Sequence, residues 1–446
     1  MDPSLALIFS ILFVFCVYWK DSKTDPQISS AIWIPIIWIM RCASRSFSYW
    51  FEGTGGSFDF EEGSIPDQIF FILSMIAAIL VLKNRLHKLR GFIANNHALL
   101  LFFLYCLLSV LWSQYWEVSF KRWVRTIGDL LMVLVILSED NPAKSLGKAI
   151  RKVSILLIPL SVVFIKYFPN VGRMTSKDWG PDMWIGVATH KNTLGQLLLL
   201  SGLYYLLQII KIQDRGTRIL TYVYLVMIAY LFYGGSHSVS MTSLVLLFLV
   251  IAIYFIINRN RLNPARNIKI MKSIFALVFC YTILSTFFAD TNIFILLAES
   301  LGKDPTMAGR TIMWSDLISI GIDHAIQGSG FGGFWTPSMM AKLKLLHPWG
   351  PQQAHNGYIE IFLNLGLIGL VLFFLIVISA CRNTFLKYEE IIDYSNLRIV
   401  LLIIALVHNV TESSFTRPTH LIWFVFLLGA INISFNKKEN LPGVVS

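Results

Sequence analysis

Apolar runs recur along this chain from one end to the other, and they confine it to folds that use a bilayer as solvent. A helix crosses the hydrocarbon core with roughly 20 mostly apolar residues. Candidate runs fall at roughly 4–18, 28–41, 67–82, 98–112, 123–137, 153–167, 193–210, 217–233, 239–257, 270–288, 357–381, 397–410 and 418–435. They predict an all-α polytopic membrane protein with about twelve or thirteen transmembrane helices. The first two and the twelfth are also compatible with re-entrant segments. Hydrophobic residues make up 55% and charged residues 14%, where a soluble domain has roughly 45–50% and about 25%. No low-complexity or Pro/Ser-rich linker interrupts the pattern, so a single integral membrane domain over residues 1–446 is expected. A long loop, 289–355, lies within it.

The net charge of +11 could suggest nucleic acid. The distribution points away from that partner, because Lys and Arg gather in short clusters between apolar runs, as in cytoplasmic loops. Lys83 to Arg90 is one cluster, Lys144, Lys148, Arg151 and Lys152 a second, Arg259, Arg261, Arg266 and Lys269 a third, and Lys437-Lys438 closes the chain. Alternate loops carry them, so they share the cytoplasmic side. The outward side then holds the acidic stretch Glu52 to Asp67, Pro169 to Lys191, the turn Gly234 to Ser240, and the loop Ala289 to His355. Trp33, Trp38, Trp50, Trp112, Trp116, Trp123, Trp179, Trp184, Trp335 and Trp349 mostly fall near outward ends, as in an interfacial belt. Leu5 to Tyr18 has its basic residues, Lys20 and Lys23, after it. That is the reverse of a signal peptide, and the segment is expected to stay as a helix.

Cys16, Cys106, Cys280 and Cys381 lie inside or beside apolar runs and Cys42 stands alone, so neither a disulfide framework nor a cysteine zinc site is expected. His190, His237, His324, His347 and His355 are scattered, without His-x-x-x-His or His-Glu-x-x-His spacing. Neither a metal site nor a cofactor is expected.

Some basic residues break the charge rule. Lys121, Arg122 and Arg125 open the fifth run at its outer end, and Arg45, Arg173, Lys191 and Arg310 are also outward. Snorkelling to headgroups accounts for any single one. Arg125 lies about one turn inside the apolar run, where a guanidinium needs an aqueous cavity and a partner. Arg122 and Arg125 are three apart and share a helix face. Two guanidinium forks suit a diphosphate, which points to a lipid-linked phosphate or diphosphate substrate.

Further motifs sit outward. His190-Lys191-Asn192 opens the seventh run, where free backbone amides favour an anion; a polar helix start capped by Thr189 or Asn192 is the plainer alternative. Gly309-Arg310-Thr311 with Trp314 precedes an amphipathic stretch. Gly328-Ser329-Gly330-Phe331-Gly332-Gly333 lacks nucleotide-binding spacing and reads either as a lid over a sugar chain or as plain turns. His355-Asn356-Gly357-Tyr358-Ile359-Glu360 begins the eleventh run, and Gly366 and Gly369 follow. A histidine at the mouth of a membrane helix can act as a general base, or simply cap the helix. Glu412, beyond His408-Asn409, is placed to pair with an arginine or to hold a substrate hydroxyl.

On the residues His190-Lys191-Asn192 with Gly195, Gly309-Arg310-Thr311 with Trp314, Gly330-Phe331-Gly332, and His355-Asn356-x-Tyr358-x-Glu360 with Gly366 and Gly369, the chain resembles the bacterial O-antigen ligase and polymerase superfamily. The branch it is most similar to is that of exopolysaccharide polymerases of the Wzy type, and Ile34-Pro35 through Ser44-Arg45 to Trp50 shares that look. The resemblance implies a membrane glycosyltransferase fold of the GT-C-like kind with a long periplasmic loop, at the outer face of the bacterial inner membrane. It implies an undecaprenyl-diphosphate-linked glycan as donor, polymerisation of repeat units with inversion, no metal, and a chain-length regulator as partner. A ligase acting on lipid A-core is the alternative, and a flippase of lipid-linked sugars a third class. By resemblance, His355 is the base and Arg310 the catalytic cation. Arg122, Arg125, His190, Lys191, Asn192, Asn356, Tyr358 and Glu412 would bind substrate. Members often carry a basic residue in a Ser-x-Ser-Arg/Lys-Thr-Ser pattern. Here Met241 occupies that place in Ser238 to Ser243, with His237 nearby.

Overall fold

The computed structural model describes residues 2–22, 28–52, 64–176, 180–209, 214–234, 240–259, 263–287, 309–388 and 392–433. Outside them lie most of the acidic stretch (53–63), Trp179, His237, Arg261, the start of the long loop from Ala289, and Lys437-Lys438.

The helices are α1 Pro3–Ser22, α2 Trp33–Ala43, α3 Phe47–Glu52, α4 Ile65–Lys83, α5 Phe92–Asn95, α6 His97–Ser109, α7 Trp116–Leu137, α8 Pro142–Tyr167, α9 Pro169–Gly172, α10 Lys191–Ile209, α11 Arg215–Tyr233, α12 Met241–Arg259, α13 Pro264–Phe287, α14 Arg310–Gly321, α15 Pro337–Leu346, α16 Gly357–Leu386, α17 Ile392–His408 and α18 Leu421–Ala430. All the predicted apolar runs fall on helices. The protein is an α-helical polytopic membrane protein, with one small addition to the all-α expectation: strands β1 Arg173–Ser176 and β2 Gly180–Trp184 form an antiparallel hairpin.

Fewer helices than expected are long and apolar enough to span by themselves. Six described helices meet that standard, or up to seven if the bent pair Leu86–Asn95 and His97–Trp112 is one span. Two sequence features account for much of the shortfall. Helices α7 and α8 are long but carry several charges. The run near 418–435 becomes only the ten-residue α18, and every residue of it is buried. A helix apolar on all sides and enclosed on all sides is a core element of a large protein rather than a lipid-facing span. Trp423 and Phe426 of α18 pack against Phe415 and against Phe373 of α16, with Phe373 and Phe415 ring centres 4.5 Å apart. Helices α1 and α4 instead leave Phe9, Phe15, Ile69 and Leu73 exposed, as lipid-facing helices do. Trp38 and Trp335, expected in the interfacial belt, are buried: their indoles donate to Asp129 (2.8 Å) and Glu360 (2.6 Å). A buried indole N–H needs an acceptor, and here a carboxylate supplies it.

At one end of the bundle, basic loop residues are braced by carboxylates. Arg85 meets Glu139 at 2.6 Å, and Asp21 receives Arg151 at 2.8 Å and Lys152 at 2.6 Å. At the other end, Arg45 donates to the carbonyl of Val171 and Arg173 to that of Ile165 (2.9 Å). Two of the arginines that broke the charge rule therefore cap carbonyls at the ends of α8 and α9, where the helix dipole is negative.

Helix α16 is broken one-third of the way along. Gly366 has φ 64° and ψ −163°, a conformation closed to side-chain-bearing residues. The freed backbone groups are taken up by the incoming loop. The N–H of Leu367 donates to Ala325 (2.8 Å), that of Ile368 to Ile326 (3.2 Å), and Ser329 donates back to Leu363 (3.0 Å). Irregular backbone among membrane helices survives where protein re-satisfies it. A Cβ on Gly366 would lie 2.3 Å from the carbonyl oxygen of Ile326. Around this junction the described part of the long loop has its own core, with Met313, Trp314 and Leu317 of α14, Phe334, Trp335 and Leu343 packed on Ile359 and Leu363. Gly366→Ala is expected to lower the melting temperature of detergent-solubilised protein clearly more than Gly309→Ala. Gly309→Ala incurs the roughly 1–2 kcal/mol of a left-handed L-residue and its Cβ meets nothing within 4 Å, whereas Gly366 combines a backbone conformation open essentially to glycine alone with the contact at Ile326. Equal shifts in the two variants would contradict the docking of the loop into α16.

Candidate functional site

Glu412 is the centre of the site. It follows α17 in the turn Asn409 to Phe415, which Asn409 builds: its Oδ1 accepts from the N–H groups of Ser414 (2.7 Å) and Phe415 (3.0 Å). The same asparagine meets the start of α16, because its carbonyl accepts from Gly357 N–H at 2.8 Å. A Cβ on Gly357 would stand 2.2 Å from Asn409 Oδ1, so glycine is required there. Asn356 is the N-cap of α16. Its Oδ1 accepts from Tyr358 and Ile359 N–H, and its own N–H donates to Ser413 Oγ at 3.0 Å. The motifs 355–358 and 408–414 thus lock together backbone to side chain. The lock brings His355 Nδ1 to 3.4 Å from Glu412 Oε2. His355 has φ 51°, a strained value for a residue with a Cβ, held by the cap beside it.

Two further segments reach the same carboxylate. Asn192, in the first turn of α10, donates from Nδ2 to Glu412 Oε1 at 2.5 Å. Arg310, at the first position of α14, places Nη2 3.5 Å from Oε1 and donates from Nη1 to the Thr411 carbonyl at 2.5 Å. Burial pushes the Glu412 carboxyl up; the hydrogen bond and charge of His355, then Arg310 and His408, outweigh it and hold the group at about 2. Glu412 is therefore ionised at neutral pH and carries no proton to give. Its partner atom Nδ1 of His355 is then the donor, so that in the unprotonated form of the ring Nε2 would be the acceptor. His190 sits behind this array. Burial, then Lys191, His355 and Arg310, lower its pKa against the opposing pull of Glu412.

The expected site residues separate into groups. His355, Arg310, Asn192 and Glu412 converge, with His190 and Lys191 within electrostatic reach. Tyr358 does not join them. Its ring is buried and stacked on Phe374, and its hydroxyl donates to Leu406 O at 2.8 Å. Asn356, fully buried, spends its side chain on the cap. Arg122 and Arg125 diverge despite their three-residue spacing. Arg122 donates to the Gly332 carbonyl and faces Arg417 and Glu360. Arg125 lies over the Phe71 ring at 5.2 Å, towards Asp67 and Arg41. The spacing gave a shared side but not a shared target, because neighbouring helices drew the two forks apart.

Arg417, Thr411 and Ser413 were not foreseen. Arg417 donates to Gln353 and to Ser413 O, which ties the exit of the long loop to the Glu412 turn. The helix-ending His408-Asn409 pair was the only cue to this turn. Thr242 Oγ1 lies 2.9 Å from Thr411 Oγ1, so Met241, half-exposed beside it, borders the site where a basic residue was expected. His237, considered as its replacement, is outside the described residues. The glycines 328–333 are not free turns. A Cβ on Gly328 would meet the backbone of Asn364 at 2.4 Å, and one on Gly330 the carbonyl of Ser109 at 2.7 Å. They let this loop lie against α16 and the α6–α7 turn, and its described residues are packed rather than hinged.

Glu412→Gln tests the electrostatic reading. Glu412 has its folded-state value, about 2, below its ordinary 4.5. Its contribution to stability is thus present above pH 4.5 and is lost as the pH falls toward 2. Melting curves taken from pH 6 down to pH 3 should show a flatter decline for Glu412→Gln than for the parent. Superimposable declines would remove Glu412 from the acid-sensitive groups.

One comparison with known proteins takes in Arg310 and His355 but stops short of Asn192 and Glu412. A model of the O-antigen ligase family matches residues 194–374, from α10 through the long loop and past the break in α16. The exopolysaccharide production protein ExoQ of Rhizobium meliloti (strain 1021) is 29% identical over 90 residues. That stretch covers 19% of this chain and 21% of the relative. Both matches agree with the superfamily that the motifs resemble, one of polysaccharide ligases and polymerases in the membrane.

Proposed function

We propose that this protein, whose middle matches the O-antigen ligase family, is a glycosyltransferase that uses a polyprenyl-diphosphate-linked glycan as donor. It joins undecaprenyl-diphosphate-linked repeat units into exopolysaccharide or O-antigen. The reading places the Glu412 end of the bundle in the periplasm and the end with Arg85, Arg151 and Lys152 in the cytoplasm, in keeping with the positive-inside rule. The observation that carries it is the His355–Glu412–Arg310 cluster: a base with a defined tautomer beside a guanidinium, at the mouth of membrane helices.

The acceptor hydroxyl gives its proton to His355 Nε2. Its oxygen forms a bond to the anomeric carbon of the donor as the bond from that carbon to the diphosphate oxygen breaks. The electron pair leaves with the lipid diphosphate, and attack from the opposite face inverts the centre. Glu412 holds the ring and balances its charge once protonated, as a carboxylate behind a catalytic histidine does. The 3.4 Å separation is long for a hydrogen bond, in line with catalytic contacts that tighten only with substrate bound. Arg310, with Lys191, stabilises the charge that develops on the leaving diphosphate. These cations supply the charge compensation, so the step is written without a metal.

The experiment is transfer in vitro with purified protein and a lipid-diphosphate oligosaccharide. A ladder of longer glycans with release of lipid diphosphate is expected. Normally expressed His355→Ala should lose about 10²–10⁴-fold in rate, the usual worth of a general base. Arg310→Ala should lose about 10²–10³-fold, in the range for a charge-stabilising donor. Full activity in either variant removes that residue from its role. Unchanged glycan length while labelled lipid crosses vesicles would replace the transferase reading with a flippase. The family description favours one second reading, a ligase that moves a finished glycan to another lipid acceptor. That enzyme would give a single transfer to lipid A-core and no ladder.

A further inference from the structure

We infer that a groove between the α6–α7 turn and the glycine-rich loop is a binding site for a neutral oligosaccharide, the sugar chain that presents the attacking hydroxyl. The inference rests on the transferase reading for the role of the sugar, while the binding itself does not. Two cavities share Gln114 as a wall. One, of about 240 Å³, lies between Trp112 and Gln114 on the turn and Gln327, Phe334 and Thr336 on the loop side. The other, of about 180 Å³, is lined by Gln114, Tyr115, Trp116 and Val118.

The chemistry of the walls selects the ligand. No Asp, Glu, Lys or Arg lines the larger cavity, and its one titratable side chain is that of His324. The smaller has one of each sign, Glu117 and Lys121, with no net charge. A diphosphate has no reason to settle there, whereas Arg310 and Lys191 offer it a cationic place beside Glu412. Aromatic faces alternate instead with amide and hydroxyl groups that both donate and accept. Sugar rings present C–H faces that lie on aromatic rings and hydroxyls that pair with amides. Such a mixture of flat apolar surface and a few convergent neutral polar groups defines orientation without charge.

The groove is built rather than incidental. The loop side is fixed by Phe331 N–H on Ser109 Oγ (3.0 Å), Phe334 N–H on Asn364 Oδ1 (3.2 Å) and Gly333 N–H on Gly330 O (2.9 Å). Arg122 holds the Gly332 carbonyl from behind. A wall set before the ligand arrives costs less ordering on binding. Behind that wall, a short run of contacts ties the loop to the Glu412 turn. Gly332 meets Arg122, which faces Arg417, and Arg417 donates to Ser413 O next to Glu412.

The test uses calorimetry on the full protein in nanodiscs. The probes are oligosaccharides of two to six sugars, prepared from the surface polysaccharide of cells that express it, and inorganic diphosphate. Wild type should bind the oligosaccharides. Trp112→Ala, Gln114→Ala and Trp116→Ala should each weaken that binding about tenfold or more, the scale of one lost hydrogen bond or ring face. They should leave diphosphate binding unchanged, and Trp112→Phe should recover most of the loss. Arg310→Ala should do the reverse. Wild type that binds none of the oligosaccharides, or alanine variants that bind them as wild type does, would overturn the proposal; so would Trp112→Phe behaving like Trp112→Ala. Headgroup anchoring of these tryptophans would appear as that last result together with lost insertion. Transfer assays separate the two readings. Binding at the groove with no glycan extension sinks the transferase but keeps the groove. Extension with groove variants unimpaired sinks the groove alone. If the groove holds the acceptor, the variants raise the acceptor KM; an effect on the donor KM alone would assign it to the donor sugar.

Discussion

One ionised carboxylate, Glu412, joins segments that are far apart in the chain. It is nearly buried, and an unpaired carboxylate in such a place costs several kcal/mol. Asn192, Arg310 and His355 offset that cost, each from a different helix start. The position of the base follows from it. Because the carboxylate can only accept, the histidine facing it has one tautomer available. Removing a single partner would leave charge uncompensated in a low-dielectric setting, where it is felt most.

The scaffold that delivers those partners depends on helix ends and on one deliberate break. Asn356 caps α16 while Asn409 shapes the turn after α17, and each also touches the other's segment. Further along α16, Gly366 opens the helix so that the loop 325–329 can hydrogen-bond into it. The long loop is thereby held to the membrane helices at its exit and through its middle. A loop anchored in that way can position Arg310 and the groove walls together, which a free lid could not.

Much of this was legible beforehand, and the reasons differ by residue. Apolar runs mark helices because the periodicity and length are local properties. His355, Arg310, Asn192 and Glu412 could be named because polar groups at membrane-helix ends are costly and stand out. The divergence of Arg122 and Arg125 was not legible. Shared spacing on one helix says nothing about what neighbouring helices offer, here the Gly332 carbonyl and the Phe71 ring. Tyr358 looked like a site residue because its motif neighbours are; its hydroxyl turned inward to Leu406.

By itself the sequence determined that this chain lives in a bilayer, where its helices lie, and which polar residues gather near helix mouths. Those follow from composition and local pattern. Only the tertiary structure decided that α18 is a core element, that α16 breaks at Gly366, and that Glu412 is the common partner of three distant segments. These depend on contacts across more than thirty residues, and no local rule carries that information.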